Sequence, residues 1–253
     1  MASRRTATGF ALIALAAGTL GQSVRPEFDA ASVRPSLSLQ TGGTMRIMPD
    51  GGIQVQGLPV RHLITIAFGL QPYQLVNAPE WAREARYDVQ AKPAQPATRA
   101  QTMAMLQALI IERFGLMFHR ERRQLDGFRL VRANNERLGP NIRPSPIDCE
   151  KVAATEPACR EARITVDSMK AVGSPMWILL QEVIAVAGAP VDDTTGLGGT
   201  YDFELLWSNE LAPSGDRPSF VTALQEQLGL RLERHSVSDE VFVVDRLERA
   251  GPN

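Results

Sequence analysis

The sequence has almost no charge imbalance, and this shortage excludes a class of function. Its 27 basic and 28 acidic residues leave a formal net charge of −1 over 253 residues. Binding to nucleic acid or to an anionic membrane surface is favoured by a clear basic excess, which is missing here. The short basic run at 119–123 is interrupted by an acid and is typical of a solvated strand face. We therefore predict no nucleic-acid partner.

The sequence also lacks the short motifs of common catalytic and nucleotide-binding sites. It contains no HExxH zinc motif, no G-x-S-x-G nucleophile motif, no Walker loop and no dinucleotide-binding fingerprint. The glycines of TTGLGGTYD (194–202) precede a predicted strand, so a tight turn explains them better than a phosphate-binding loop. We predict no cofactor, no bound metal and no assigned catalytic residue.

No apolar run is long enough to be a comfortable transmembrane helix, which needs about 20 residues. The run GFALIALAAGTLG (9–21) follows two arginines and precedes a polar stretch, the pattern of a secretory signal peptide. We predict a signal peptide at 1–22, cleaved near Gly21–Gln22, and a periplasmic or secreted protein without stable membrane insertion after cleavage. An uncleaved membrane anchor is the alternative.

Cysteine is scarce, with only Cys149 and Cys159, both in one polar stretch. In an oxidising compartment two cysteines in one loop favour a disulfide. Zinc is the rival interpretation, but two cysteines without nearby histidines fall short of the four ligands that a structural site needs.

What the sequence does contain is a weak internal repeat at an offset of 114 residues. Tyr87-Asp88 corresponds to Tyr201-Asp202, and Gly115-Leu116 to Gly229-Leu230. Eight identities occur in the 46 positions from 87 to 132, against about three expected by chance. We predict a first lobe at 27–132, a Pro-rich linker with the disulfide at 133–160, and a second lobe at 161–250.

Each half has the same predicted order of elements. In the first half a hairpin at 45–57 precedes a helix that ends at Gly69, a strand at 87–92 and a helix capped by Thr98 and Gln101. In the second half a strand at 163–167 precedes a helix with Ser174 as N-cap, a strand from Tyr201 and a helix that ends at Gly229. Each half is then predicted to close with a hairpin. The fold class is α+β, with two related lobes of one sheet and two helices each.

Long stretches of the sequence resemble one known family. They are FDAASVRPS, GLPVRHLITIAFGLQPYQLVNAPEWAREARYDVQAKP, MLQALIIERFGLMFHRERRQLDGFRLV and DTTGLGGTYDFELLW with the C-terminal FVTALQEQLGLRLERHSVSDEVFVVDRLERAGPN. Together they are similar to the soil-associated protein family, an exported domain of unknown function found in large paralogous sets in soil bacteria. The second half also resembles, more loosely, the short N-terminal signalling domain of secretins and TonB-dependent receptors. These resemblances imply binding to envelope proteins and no established activity or cofactor.

One arrangement of ionisable residues could carry chemistry. His119 and Glu121 lie two residues apart on a predicted strand and so share a face, and Glu233 and His235 repeat the pair in reverse. If the two closing hairpins faced each other, the four side chains could form a zinc or acid–base site. The alternative is that both pairs are solvated strand faces with cross-strand ion pairs.

Trp81 is a candidate contact for a ligand or partner, although it could instead cover the core. From these features we expect an exported, non-catalytic binding or sensing protein of the bacterial cell envelope. Its partner would be another envelope protein or a small ligand. The alternatives are an extracytoplasmic hydrolase, with or without the assistance of a metal, and a structural envelope component.

Overall fold

The computed structural model describes residues 27–37, 43–134, 137–149, 151, 163–208 and 216–251. The predicted signal peptide and Cys159 lie outside these residues. The described chain has a mixed α+β fold, in agreement with the prediction from the sequence. Its strands are β1 (Ala30–Pro35), β2 (Thr44–Ile47), β3 (Ile53–Pro59), β4 (Leu75–Val76), β5 (Arg86–Lys92), β6 (Met117–Arg132), β7 (Ile142–Pro144), β8 (Arg163–Ile164), β9 (Ser168–Pro175), β10 (Val191–Asp193), β11 (Thr200–Leu206) and β12 (Leu230–Arg246).

Five α-helices accompany these strands in the described part of the chain. They are α1 (Val60–Phe68), α2 (Trp81–Glu84), α3 (Arg99–Arg113), α4 (Met176–Ala187) and α5 (Phe220–Ala223), and α5 continues as a π-helical turn at Leu224–Leu228. Both halves of the predicted capping box before α3 form, since the Thr98 side chain accepts from the Gln101 N–H and the Gln101 side chain accepts from the Thr98 N–H. Among the described residues, no helix combines the length and the apolar character needed to cross a membrane.

Two four-stranded antiparallel sheets have closely similar layouts. The strand order of the first sheet is β1-β5-β3-β2, and that of the second is β7-β11-β9-β8. In both sheets the strand before a helix carries a register shift at a glycine with positive φ, Gly57 (62°) or Gly173 (55°). An aspartate on the neighbouring strand accepts the N–H of that glycine, Asp88 at 2.7 Å and Asp202 at 2.9 Å. The bulge therefore requires glycine for its backbone conformation and aspartate for its exposed donor.

The third sheet joins the two halves, and here the sequence prediction is wrong. Strand β6 runs unbroken through 117–132 and β12 through 230–246, where a closing hairpin was predicted for each half. The two strands instead pair with each other, antiparallel, over almost their full length. This pairing satisfies the backbone groups that point toward the partner strand without the tight turns that two separate hairpins would need. Within β6, Gly127 lies beneath Pro190, where a Cβ would be 2.4 Å from the proline oxygen.

The long strands carry each half of the chain into the core of the other half. The first core contains residues from both early strands and α1, and it also contains Phe242, Val244 and Leu247 from the C-terminal end. The second core is built mainly from residues after 141 but includes Leu130. Short edge strands cross in the same way, because β4 pairs with β12 and β10 pairs with β6. A cut in the 133–160 segment would therefore leave neither core complete.

Three finer expectations about the second half need correction. The helix after Pro175 begins at Met176 with Pro175 itself as N-cap, because Ser174 is still part of β9. The segment predicted as a linker contributes strand β7 to the second sheet. The sequence around Trp177 also predicts a helical core residue, and the residue is helical, but its side chain is 50% exposed.

Candidate functional site

His119 lies on an exposed face of the β6–β12 ladder and belongs to a local ionic cluster. Its Nδ1 is 2.9 Å from an Asp245 carboxylate oxygen, and its Nε2 is 3.8 Å from Glu121 Oε2. Glu121 also pairs with Arg123. The hydrogen bond to Asp245 is the main cause that raises the pKa of His119 above 6.5. The imidazole is thus held as one partner in a surface ion pair.

Glu233 and His235 lie far from His119, so the predicted four-residue site does not form. His119 is opposite Val243 in the ladder, whereas His235 is opposite Gly127. The separation of eight positions along β6, from 119 to 127, corresponds to about 27 Å at the rise of an extended strand. Glu233 pairs with Arg129 at 2.7 Å and with Arg231, and hydrogen bonds from these two guanidinium groups lower its pKa.

The ladder therefore brings together only half of the proposed cluster. His119 and Glu121 pair with Asp245 and Arg123, and Glu233 pairs with Arg129 and Arg231, as expected for a solvated strand face. Within the described ranges, no group of three or more His, Cys, Asp and Glu side chains could hold a metal ion. The prediction that four ionisable side chains converge is wrong. The register places His119 and Glu121 in one part of the ribbon, and Glu233 and His235 in another.

Trp81 covers part of the first core. It is half-buried and packs against that core, and the Arg249 guanidinium lies 5.0 Å from the centre of its ring. One face of the indole is thus occupied by a cation from the C-terminal end of the chain. In this position Trp81 covers the core, which is the alternative to contact with a ligand or partner.

The structure offers a concave surface elsewhere, on the outer face of the second sheet. A groove of about 690 Å³ lies there, with Arg143, Lys170, Asp202 and Glu204 supplying charges of both signs. Lys170 and Glu204 stand directly opposite each other on β9 and β11. We call this surface the sheet groove.

One wall of the sheet groove is the segment 145–149, which is fastened to the sheet at three points. The Ser145 N–H donates to the Thr200 carbonyl at 2.8 Å, and the Thr200 hydroxyl donates to the Ile147 carbonyl at 2.8 Å. The Cys149 N–H donates to the Gly173 carbonyl at 2.9 Å. These bonds hold the wall against the bulge in β9 and preshape the groove.

Asp202 organises the floor of the sheet groove. Burial alone would raise its pKa, but hydrogen bonds from the Ser145 hydroxyl, the Gly173 N–H and the Arg143 guanidinium outweigh burial and hold the pKa of Asp202 below 3.8. Its side chain is 18% exposed, while that of Arg143, 3.3 Å away, is 79% exposed. The carboxylate is therefore committed to the fold, and the arginine remains accessible to a bound molecule.

A short sequence signal for this region was overlooked. Val33-Arg34-Pro35-Ser36, which runs from the end of β1 into the next residue, matches Ile142-Arg143-Pro144-Ser145, which does the same at β7, almost residue for residue. In each sheet the arginine lies opposite the aspartate that anchors the bulge. The match was missed because its offset is 109 (142 − 33), not the 114 found elsewhere.

Comparison with known proteins identifies a family but no characterised relative. A family model described as a protein of unknown function (DUF3738) matches residues 61–247, which is more than half of the chain. No curated protein and no solved structure matches the sequence.

Proposed function

This chain belongs to the DUF3738 family of proteins of unknown function, and we propose that it is an exported, non-catalytic binding or sensing protein of the bacterial cell envelope. The observation that carries this proposal is the sheet groove, a concave surface with a fixed wall and charges of both signs. Binding sites are usually concave, largely preformed and furnished with a few polar groups that orient the ligand.

The groups in the sheet groove are suited to binding. Arg143 and Glu204 are exposed and can contact a ligand, whereas the Asp202 carboxylate already accepts hydrogen bonds from within the fold. A ligand or partner that presents charges of both signs would complement this arrangement. The partner we propose is another envelope protein or a small ligand.

We also propose that the two halves are related repeats. The support is the matching strand order of the two sheets, the aspartate-anchored glycine bulge in each, and the two Arg-Pro-Ser strands. In this proposal β7 begins the second repeat, and the linker is shorter than 133–160. The second repeat differs by carrying the segment 145–149 over its bulge, which would explain why the groove described here lies on the second sheet.

Export is proposed from the N-terminal residues alone. The predicted signal peptide at 1–22 would deliver the chain to the periplasm or outside the cell. There a Cys149–Cys159 disulfide would stiffen the segment that ends the groove wall. The resemblance to the soil-associated family supports this location, and the looser resemblance to secretin and TonB-receptor signalling domains supports a protein partner.

Affinity capture with two lysine substitutions tests the proposal. The mature protein would be used to capture ligands from a periplasmic extract in three forms: wild type, Glu204→Lys and Gln90→Lys. Glu204 and Gln90 occupy corresponding exposed positions on β11 and β5, so the second variant controls for added positive charge. Neither side chain contributes to the bulge anchors.

We expect one molecule or protein to be retained by wild type and Gln90→Lys and lost with Glu204→Lys. Equal capture by all three forms would place the binding site elsewhere. Recovery of the untagged protein in the cytoplasmic fraction would contradict export.

A further inference from the structure

The β6 strand has an open edge in the middle of the central ribbon. At one end of the strand β10 covers this edge, where the Phe128 N–H donates to the Pro190 carbonyl and the Leu130 carbonyl accepts from Thr194. Backbone groups of alternate residues in a strand point to the same side. The N–H and C=O groups of Arg120, Arg122, Gln124 and Asp126 must therefore point away from β12, as those of Phe128 and Leu130 do.

These outward groups have no hydrogen-bond partner in the described structure. The backbone bonds formed outside regular elements include none from the 118–126 part of β6. The four side chains at the alternate positions are all exposed, so the edge is accessible to an added strand. On the opposite edge of the ribbon, in contrast, the Gln74 side chain already donates to the Glu240 carbonyl at 3.2 Å. The β6 edge is the more open of the two.

The charges along this edge favour an acidic partner. Arg120 pairs with Glu240 at 2.7 Å and Arg123 pairs with Glu121, whereas Arg122 forms no ion pair in the described chain. Just beyond the edge, a hollow of about 420 Å³ is lined by Asp126, Gly127, Phe128, Arg234, His235 and Ser236. Asp126 and Asp239 are carboxylates of this stretch without ion pairs among the described residues, but Asp239 accepts from Tyr73 and Gln74 at the opposite edge of the ribbon. At the β6 edge, Arg122 and Arg234 against Asp126 leave one positive charge in excess.

We propose that the β6 edge from Arg120 to Asp126 binds an extended, acidic peptide segment of a partner protein as an added strand. Backbone hydrogen bonds to the outward groups supply affinity, and Arg122 and Arg234 select acidic side chains. Arginines on an exposed edge also discourage pairing between two copies of this chain, because like charges would face each other. This surface is separate from the sheet groove and does not depend on it.

Two synthetic peptides test the proposal with the full mature protein. The probe is fluorescein-labelled Thr-Val-Glu-Val-Glu-Val-Glu-Val-Thr, and its counterpart has lysine in place of each glutamate. Binding is followed by fluorescence anisotropy, and amide protection at 120–126 is followed by hydrogen exchange. We expect the acidic peptide to bind at least tenfold more tightly than the basic one and to protect the outward amides.

Proline variants at one rung of the ladder provide the matched control. Gln124 and Ser238 face each other across the ladder, and both N–H groups point outward, so neither proline removes a backbone bond between β6 and β12. Gln124→Pro also removes the exposed side-chain bond that Gln124 accepts from Ser236 at 3.1 Å, so Gln124→Ala, which removes that bond alone, should bind the acidic peptide as wild type does. Gln124→Pro should weaken binding of the acidic peptide at least tenfold, while Ser238→Pro leaves it unchanged. Arg122→Glu, which removes no ion pair, should reverse the preference between the peptides even if the proline variant folds poorly.

Three results would overturn the proposal. The first is equal binding of both peptides, and the second is unchanged binding of the acidic peptide by Gln124→Pro. The third is a dimer that the protein forms alone and that Gln124→Pro abolishes, because a second copy would then occupy the edge. Glu204→Lys in the sheet groove should bind the acidic peptide as wild type does. A failure at the edge is therefore distinguishable from a failure of the function proposed for the groove.

Discussion

Removing the Asp202 carboxylate tests whether the bulge anchor shapes the second sheet. In Asp202→Ala the Gly173 N–H loses its acceptor at 2.9 Å, and the Ser145 and Arg143 side chains lose theirs. Leaving such a group unsatisfied costs about 1–3 kcal/mol. For a chain of this size, a loss of about 2 kcal/mol lowers the melting temperature by about 4–8 °C. Thermal unfolding followed by circular dichroism measures the shift.

The same variant has a defined pH dependence. Because the folded-state pKa of Asp202 lies below its ordinary value, the carboxylate contributes stability above the unfolded pKa, about 3.9. That contribution is lost as the pH falls through the folded pKa. The gap in melting temperature between wild type and Asp202→Ala should therefore be full at neutral pH and shrink below about pH 4.

Glu204→Ala is the control, because Glu204 is exposed on the same strand and anchors no bulge. It should stay within about 0.5 kcal/mol of wild type, as surface substitutions usually do. Equal stability of Asp202→Ala and Glu204→Ala would show that the Asp202 carboxylate does not stabilise the bulge, and it would refute this prediction.

Three further predictions concern the central ribbon. Gly127→Ala should lower the free energy of unfolding by about 1–3 kcal/mol, because a methyl group there would lie 2.4 Å from a backbone oxygen. Gly198→Ala, with open space around it, should lower this free energy much less in the same denaturant titration. The pKa of His119, measured by NMR, should lie above 6.5, and Asp245→Asn should lower it. The stabilisation from this pair is therefore present at low pH and is lost as the pH rises through the folded-state pKa. An unchanged His119 pKa in the variant would contradict the pairing. Residues 27–134 expressed alone should lack a dispersed NMR spectrum, because the C-terminal strand β12 completes their core. A folded fragment would contradict the conclusion that this core needs residues from the other half of the chain.

The sequence was sufficient for elements whose signals are local. The turn before β3, the capping box at Thr98 and the helix ends at Gly69 and Gly229 are confirmed. Each depends on residues within a few positions of one another, so its physics can be read from a short window.

The central ribbon could not be predicted in this way. Its pairing joins Phe118 to Val244 and Arg132 to Leu230, and no short pattern specifies such distant partners. The hairpins were predicted because each half contains two alternating segments in succession, which a single long strand also produces. The same limit affected the predicted site, because the positions of His119 and His235 depend on register.

The sheet groove was hidden for a different reason. Its wall lies in a segment whose proline content indicated a linker, and the Arg-Pro-Ser match to β1 was too short to stand out at a new offset. Only the pairing of β7 with β11 shows that this segment belongs to the sheet.

Photo-crosslinking in living cells is the most direct test of the claim that this protein binds a partner through the sheet groove. p-Benzoylphenylalanine would replace Val172 of the groove in one form and Gln56, its counterpart before the bulge of the first sheet, in the other. Our account predicts a discrete crosslinked product in the periplasmic or secreted fraction from position 172 and none from position 56. Equal products from both positions, or no product from position 172, would contradict it.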